Sequence, residues 1–442
     1  MERIKIHGLG SEMQGVGRLK DGRAVFVRGA LPGETADVRI TKEEKRFCEA
    51  ELSSIIEASE HRVMPDCPHY GICGGCSARH MDYEYTLEMK KHRVYDALKR
   101  IGGVDNPKVF DTIGSFDRDR CRNKAEYAVY AKDDQVLIGS YAAGSRKIID
   151  LDDCLLQKEE SVSALKWLKK NLLRFPCASR IRYVVTRVNR AGGMTLTICA
   201  DAPVQQDIKN AAKALFAGIP ALKSLYFCKL NMRPTHALDG ACSWIAGDKE
   251  QMDELLGLKF ELSPQSFFQI NPPQAEKLYL KAIEAAGLDE HPEYRILDAY
   301  CGAGTITLTA AQKCRYALGV EIVPPAIENA KRNAILNGLE KKTRFICADA
   351  AKEIPRLMAK GERFDAVIVD PPRKGCDEAL LNALANAKIP VISYVSCNPA
   401  TLARDVKYLS ERGYRLEWAQ PVDMFPWTEH VECAASIVRN MR

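Results

Sequence analysis

Two residues near the C-terminus have side chains suited to a covalent reaction. Cys397 follows a run of buried-strand character, PVISYVS, and precedes Asn398-Pro399, where a helix is expected to begin near Thr401. A cysteine between a strand end and a helix N-terminus is placed where its thiolate should be stabilised. The plainer alternative is a buried structural thiol. The motif Phe425-Pro426-Trp427-Thr428-Glu429-His430-Val431-Glu432 supplies a carboxylate, Glu432, at the start of the strand-like run VECAASIV, which is expected to return beside the cysteine's strand.

An acidic residue also stands at or just after the end of each of four earlier strand-like runs: Asp298, Glu321, Asp349 and Asp370. The first is followed by Tyr300 and by Cys301-Gly302-Ala303-Gly304, a turn that lets a ligand approach the backbone. Glu321, nineteen residues after Gly302, is placed to accept ribose hydroxyls. A dinucleotide fingerprint would require a third glycine where Thr307 stands. Carboxylates with no phosphate-binding signature suit a cationic, ribose-bearing ligand, and S-adenosylmethionine fits. With a methyl donor present, the cysteine and Glu432 define a narrow chemistry. Carbon-5 of uracil is a weak nucleophile until a thiolate adds at carbon-6, and a base must then remove the carbon-5 proton so that the thiolate can leave.

Cys67, Cys73 and Cys76 form a C-x5-C-x2-C loop rich in glycine, and Cys154 completes a set of four. Four thiolates serve zinc or an iron–sulfur cluster equally well, and the residues alone leave both open. Arg118, Arg120, Arg122 and Lys124, with Lys90, Lys91 and Arg93 on an expected helix, suit either phosphate contacts or a solvated face.

The elements that must position these groups follow from patterning. At 442 residues, with 46% hydrophobic and 28% charged residues, the chain has room for about three domains and is not disordered. No run of about 18 or more apolar residues occurs and the N-terminus lacks a signal-peptide core, so a cytoplasmic protein without membrane contact is expected. Sixteen cysteines in a reducing compartment are not a disulfide framework. Alternation in AVFV, DVRI and AELSSI, with turn signals at Asp21-Gly22 and Pro32-Gly33, predicts a small β-barrel over residues 1–57. A helix is predicted from Tyr83 to Ile101, and mixed α+β structure from Pro107 to about Gly247. Beyond Pro264, strand and helix patterns alternate as in a doubly wound parallel sheet. The net charge of +6 permits a polyanionic partner without requiring one, and residues 1–62 are neutral, with eleven basic and eleven acidic side chains.

The segments DPPRKG (370–375), SCNPATLARD (396–405) and FPWTEHVE (425–432), in that order, resemble the RumA/TrmA-type RNA (uracil-5-)-methyltransferases over almost the whole chain. The resemblance implies a Rossmann-like α/β methyltransferase domain at 81–102 and 255–442, an N-terminal OB-like TRAM barrel at 1–57, and a central α+β iron–sulfur domain at 58–80 and 103–254. It implies Cys397 as nucleophile and Glu432 as base. Gln269, Tyr300, Gly302, Gly304, Thr305, Glu321, Asp349 and Asp370 would hold S-adenosylmethionine. The S-P-x-x-F-x-Q pattern at Ser263–Gln269 places Phe267 to stack on a flipped-out base. Cys67, Cys73, Cys76 and Cys154 would ligate a [4Fe–4S] cluster with a role in folding or RNA binding. The TRAM module implies 23S rRNA as substrate and a monomeric enzyme. Rival readings are the same chemistry on tRNA, or a non-catalytic RNA-binding assembly factor in which Cys397 is dispensable. A cytosine-5 enzyme fits less well, because position 370 opens D-P-P-R where that class carries a second cysteine.

Overall fold

The computed structural model describes residues 1–440, arranged on three main β-sheets. The first has six strands in the order Glu2–Lys5, Thr35–Glu43, Phe47–Glu57, Ala24–Arg28, Gly15–Arg18, Gly8–Leu9. Alternate residues such as Ile4, Val25, Val27 and Val38 point into one small core. Gly22 (φ 89°) and Gly33 (φ 88°) adopt the left-handed turn conformations expected of them.

The middle sheet has seven strands in the order Gly240–Gly247, Leu222–Leu230, Met194–Ala200, Ile181–Val188, Lys124–Lys132, Gln135–Tyr141, Ile148–Asp150. Only Met194–Ala200 and Leu222–Leu230 run parallel, and the helix Gln205–Gly218 makes that crossover. This helix and Glu159–Asn171 bury Leu215, Ile208, Leu165 and Leu168 against the sheet.

The third sheet carries the chemistry. Its order is Thr343–Cys347, Tyr316–Glu321, Arg295–Asp298, Ala366–Val369, Val391–Ser396, Glu432–Arg439, Tyr414–Val422. The first five strands and the last in this order run in one direction, and only Glu432–Arg439, between them, runs antiparallel. Helices cover both faces, as double winding requires. Ala350–Ala359, Glu378–Asn386 and Pro399–Ser410 pack on one side, and Pro272–Ala285, Thr305–Ala311 and Pro324–Leu336 on the other.

The helix Tyr83–Arg100, capped by Asp82 through the amide of Tyr85, joins the first of these layers. Its Val94 and Leu98 share a core with Leu297, Val367 and Leu402. Lys90 lies on this buried stripe and not on an RNA-facing surface. Its Nζ donates to Asp423 at 2.5 Å and to the carbonyl of Phe425 at 3.1 Å. Asp423 also accepts from the Tyr83 hydroxyl at 2.6 Å. Arg93 likewise turns inward and donates to the carbonyl of Glu429. Among the described residues no helix is long and apolar enough to cross a membrane.

A buried charge left without its partner is costly, so Lys90→Met, which keeps the stem but strands Asp423, should lower stability by about 3–5 kcal/mol. Adding Asp423→Asn should recover most of that loss. Urea unfolding of the two variants checks this, and a single variant as stable as wild type would contradict it.

Candidate functional site

A cavity of about 780 Å³ opens at the carboxyl ends of the third sheet, where winding reverses between the Arg295–Asp298 and Ala366–Val369 strands. It gathers Phe267, Gln269, Tyr300, Gly302, Thr305, Glu321, Asp349, Asp370, Cys397 and Glu432. Gly304 stays just behind the wall. It precedes the helix Thr305–Ala311 at φ 87°, and a Cβ there would press on Ala330 at 3.1 Å. Glu321 accepts from the amides of Gly302 at 3.2 Å and Val323 at 2.9 Å, which fixes its carboxylate against the glycine turn. Asp349 caps the helix Ala350–Ala359 by accepting from the amide of Ala351. Gln269 is buried, whereas Phe267 is 74% exposed at the rim.

Cys397 and Glu432 meet because the final strand pairs antiparallel with Val391–Ser396, in a register that sets Ser396 opposite Cys433. Against the helix position, the protein groups around Cys397 oppose its ionisation. Burial, then the carboxyls of Glu432 and Asp370, push the Cys397 thiol up to about 11, against a smaller opposing effect of Arg373. The helix starts at Pro399, and its cap is Asn398, which accepts from the amide of Ala400. Glu432 is 5% exposed, and burial followed by the charge of Asp370 raises its carboxyl to about 8. Asp370 rises to about 7 through burial and the proximity of Asp298. Asp298, held by the Thr307 hydroxyl at 2.6 Å, rises to about 6 through burial. These acids strain toward their neutral forms, an arrangement that a bound cation would relieve.

Several wall residues carried no role in the sequence reading. Tyr279, with its hydroxyl 3.4 Å from Thr305 Oγ1, sits at core spacing on its helix and is indistinguishable there from a packing residue. His430, Arg373 and Lys374 also line the cavity, and each lies inside a motif singled out for other residues.

Cys67, Cys73, Cys76 and Cys154 line a second, smaller cavity together with Tyr70 and Arg79. The amide of Gly75 points at Cys73 Sγ, 3.4 Å away. Burial pushes the Cys76 thiol up to about 11, and Arg79 opposes that shift. The Arg79 side chain, 1% exposed, pairs with Asp66 and Asp119 and keeps its buried Nε without a partner. Among the described residues no three His, Cys, Asp or Glu side chains are grouped to hold a single metal ion. Three members of the basic run have internal partners, among them Lys124, which pairs with Glu126 at 2.7 Å. Arg120 pairs with Asp153 and donates to the carbonyl of Cys154, both at 2.7 Å, and the Arg118 guanidinium lies 3.9 Å from the Tyr83 ring centre.

A doubly wound sheet with a glycine turn and strand-end carboxylates at its switch point is the architecture of an S-adenosylmethionine-dependent methyltransferase. The family described as tRNA (Uracil-5-)-methyltransferase matches residues 82–440, and the TRAM domain matches residues 1–53. The chain belongs to this methyltransferase family. An uncharacterized RNA methyltransferase of Caldanaerobacter subterraneus is 40% identical, covering 99% of this chain and 97% of its own. Another, of Halalkalibacterium halodurans, is 38% identical over 98% and 95% of the two chains. The crystal structure of Pyrococcus abyssi tRNA (uracil-54, C5)-methyltransferase with S-adenosyl-L-homocysteine matches with a TM-score of 0.77 at 28% identity, covering 99% of this chain and 100% of that one.

The raised carboxyls of Asp370 and Glu432 give the cavity a pH signature. Below about pH 7 both hold protons that a sulfonium must displace, so donor affinity should rise with pH between about 6 and 8.5, by up to about tenfold per unit for each proton released. S-adenosylhomocysteine, a thioether without the sulfonium charge, should show a flatter profile. Calorimetric titration of both ligands tests this, and identical profiles would count against it.

Proposed function

We propose that the protein methylates carbon-5 of a uridine in RNA through a covalent adduct between Cys397 and carbon-6 of the base. The observation that supports this most directly is the placement of Cys397 and Glu432 at neighbouring strand ends within one cavity. In this reading Gln269, Tyr300, Thr305, Glu321, Asp349 and Asp370 hold the donor, with Gly302 and Gly304 letting it approach the backbone. S-adenosylmethionine supplies an electrophilic methyl group and a positive charge. That charge offsets the burial and the carboxyl–carboxyl repulsion that raise the pKa of Cys397, Asp370 and Glu432. Cys397 loses its proton to solvent and adds as thiolate to carbon-6, and the resulting enolate attacks the methyl group from carbon-5, breaking the methyl–sulfonium bond and releasing S-adenosylhomocysteine. Glu432 then removes the carbon-5 proton, the carbon–sulfur bond breaks, and Cys397 leaves as thiolate. Phe267, exposed at the rim, is placed to stack on the extruded base.

The target we favour is 23S rRNA, on the strength of the N-terminal TRAM module. A uridine of tRNA is a second reading with its own support, because the Pyrococcus tRNA enzyme matches over the full length, N-terminal module included. We assign the four cysteines to a [4Fe–4S] cluster. The four thiols line one cavity, and the unpartnered, buried Arg79 Nε on the same cavity suits an anionic sulfur acceptor. Cys67, Cys73, Cys76 and Cys154 would hold it, and methyl transfer itself calls on none of them. The reading further places the enzyme in the cytoplasm as a monomer.

Cys397→Ala should lose methylation entirely while binding the donor normally, and turnover in that variant would sink the covalent scheme. Glu432→Gln should accumulate a methylated RNA–protein adduct that survives a denaturing gel. For the cluster, anaerobically purified protein should contain iron and acid-labile sulfide; zinc in their place would refute the assignment. Mass-spectrometric mapping of 5-methyluridine in rRNA and tRNA, from cells with and without the protein, separates the two substrate readings.

A further inference from the structure

The segment Phe425–Val431, between the last two strands, forms one wall of the large cavity and lies against the residues that follow Cys76. Phe425 and His430 on the wall, and Glu432 just beyond it, line the large cavity. Its other side is held by the residues that follow Cys76, together with Lys90 on the carbonyl of Phe425 and Arg93 on that of Glu429. The carbonyl of Trp427 accepts from the amides of both Ser77 and Ala78, each at 3.0 Å. Ser77 Oγ accepts from the amide of Glu429 at 2.9 Å and donates to its carboxylate at 2.5 Å. The Trp427 indole donates to Asp119 at 3.2 Å, the same carboxylate that pairs with Arg79, and the Arg79 guanidinium lies 5.1 Å from the Trp427 ring centre.

Trp427 also has a left-handed backbone, φ 64°. For a residue with a Cβ this conformation is unfavourable and persists only where its surroundings impose it. Here the imposing contacts are the two amides after Cys76 and the Ser77 hydroxyl. Glu432 follows Glu429 by three residues, and no glycine lies between them to absorb a shift. A change in the Ser77 anchor is therefore passed along a short, stiff stretch to the carboxylate.

We propose that Ser77 is a positioning residue for Glu432. It clamps the outer side of the Phe425–Val431 wall, so that the cysteine loop governs removal of the carbon-5 proton and release of the adduct, and leaves donor binding unaffected. This rests on the assignment of Glu432 as the base. It gives the cysteine loop a defined place in the reaction, through main-chain and hydroxyl contacts and without electron transfer.

The test uses the full-length protein with its metal content measured, S-adenosylmethionine and a substrate RNA. Ser77→Ala should slow release, so that methylated RNA–protein adduct accumulates and turnover falls about tenfold or more, the scale expected for a lost hydrogen bond to a charged group. Donor affinity, iron content and thermal stability should remain near wild type, and Ser77→Thr, which keeps the hydroxyl, should restore release. Slower turnover without adduct, or adduct levels unchanged in Ser77→Ala, would overturn the proposal. If Ser77→Ala unfolds or loses iron, the Ser77→Thr variant and an Asp119→Asn variant, which weakens the hold on Trp427 from the far side, carry the same prediction of retained and slowed release respectively. Glu432→Gln in parallel distinguishes the two levels. If it accumulates adduct while Ser77→Ala does not, only the clamp fails; if it accumulates none, the base assignment fails with it.

Discussion

The antiparallel pairing of Glu432–Arg439 with Val391–Ser396 is the constraint on which the rest of the site depends. A parallel sheet alone would leave Cys397 at the end of an edge strand with acids only on one side. Returning the chain's last strand into the sheet sets a second carboxyl at the same end, one register step away. It also forces the preceding segment, Phe425–Val431, to cross the mouth of the cavity. Burial at this end of the sheet, and after it the charge of neighbouring carboxyls, raises the pKa of Cys397, Asp370 and Glu432.

The same segment ties together regions far apart in sequence. Lys90 and Tyr83 grip Asp423 just before it, Arg93 holds the carbonyl of Glu429, and Ser77 and Ala78 hold Trp427 and Glu429. The short stretch after the cysteine loop and the helix that follows it therefore act as a brace against the catalytic sheet. Cations that look ready for RNA in the sequence are in several cases used for this bracing.

Much of the site was legible because it is periodic or local. Strand-end acids declare themselves by following runs such as FDAVIVD, and the glycine turn needs no partner to be recognised. What escaped was long-range. Lys90 lies on the buried stripe Tyr83, Thr86, Lys90, Val94, Leu98, but Asp423, its partner, is more than three hundred residues away and nothing local names it. The groups that act on the Cys397 thiol are likewise only partly local. Helix position is local, whereas the two carboxyls that oppose ionisation arrive from other strands. Tyr279 was hidden because a buried tyrosine on an amphipathic helix looks the same whether it packs or lines a cavity.

The late return of the last strand also sets an order of assembly. Until residues beyond about 430 have left the ribosome, Val391–Ser396 presents an open strand edge, and the apolar face of Val94 and Leu98 has only part of its docking surface. The catalytic sheet is thus closed only when the C-terminal strand pairs with both Val391–Ser396 and Tyr414–Val422. The N-terminal sheet, whose strands all lie within the first 57 residues, has no such dependence and can complete itself while the rest is still being made.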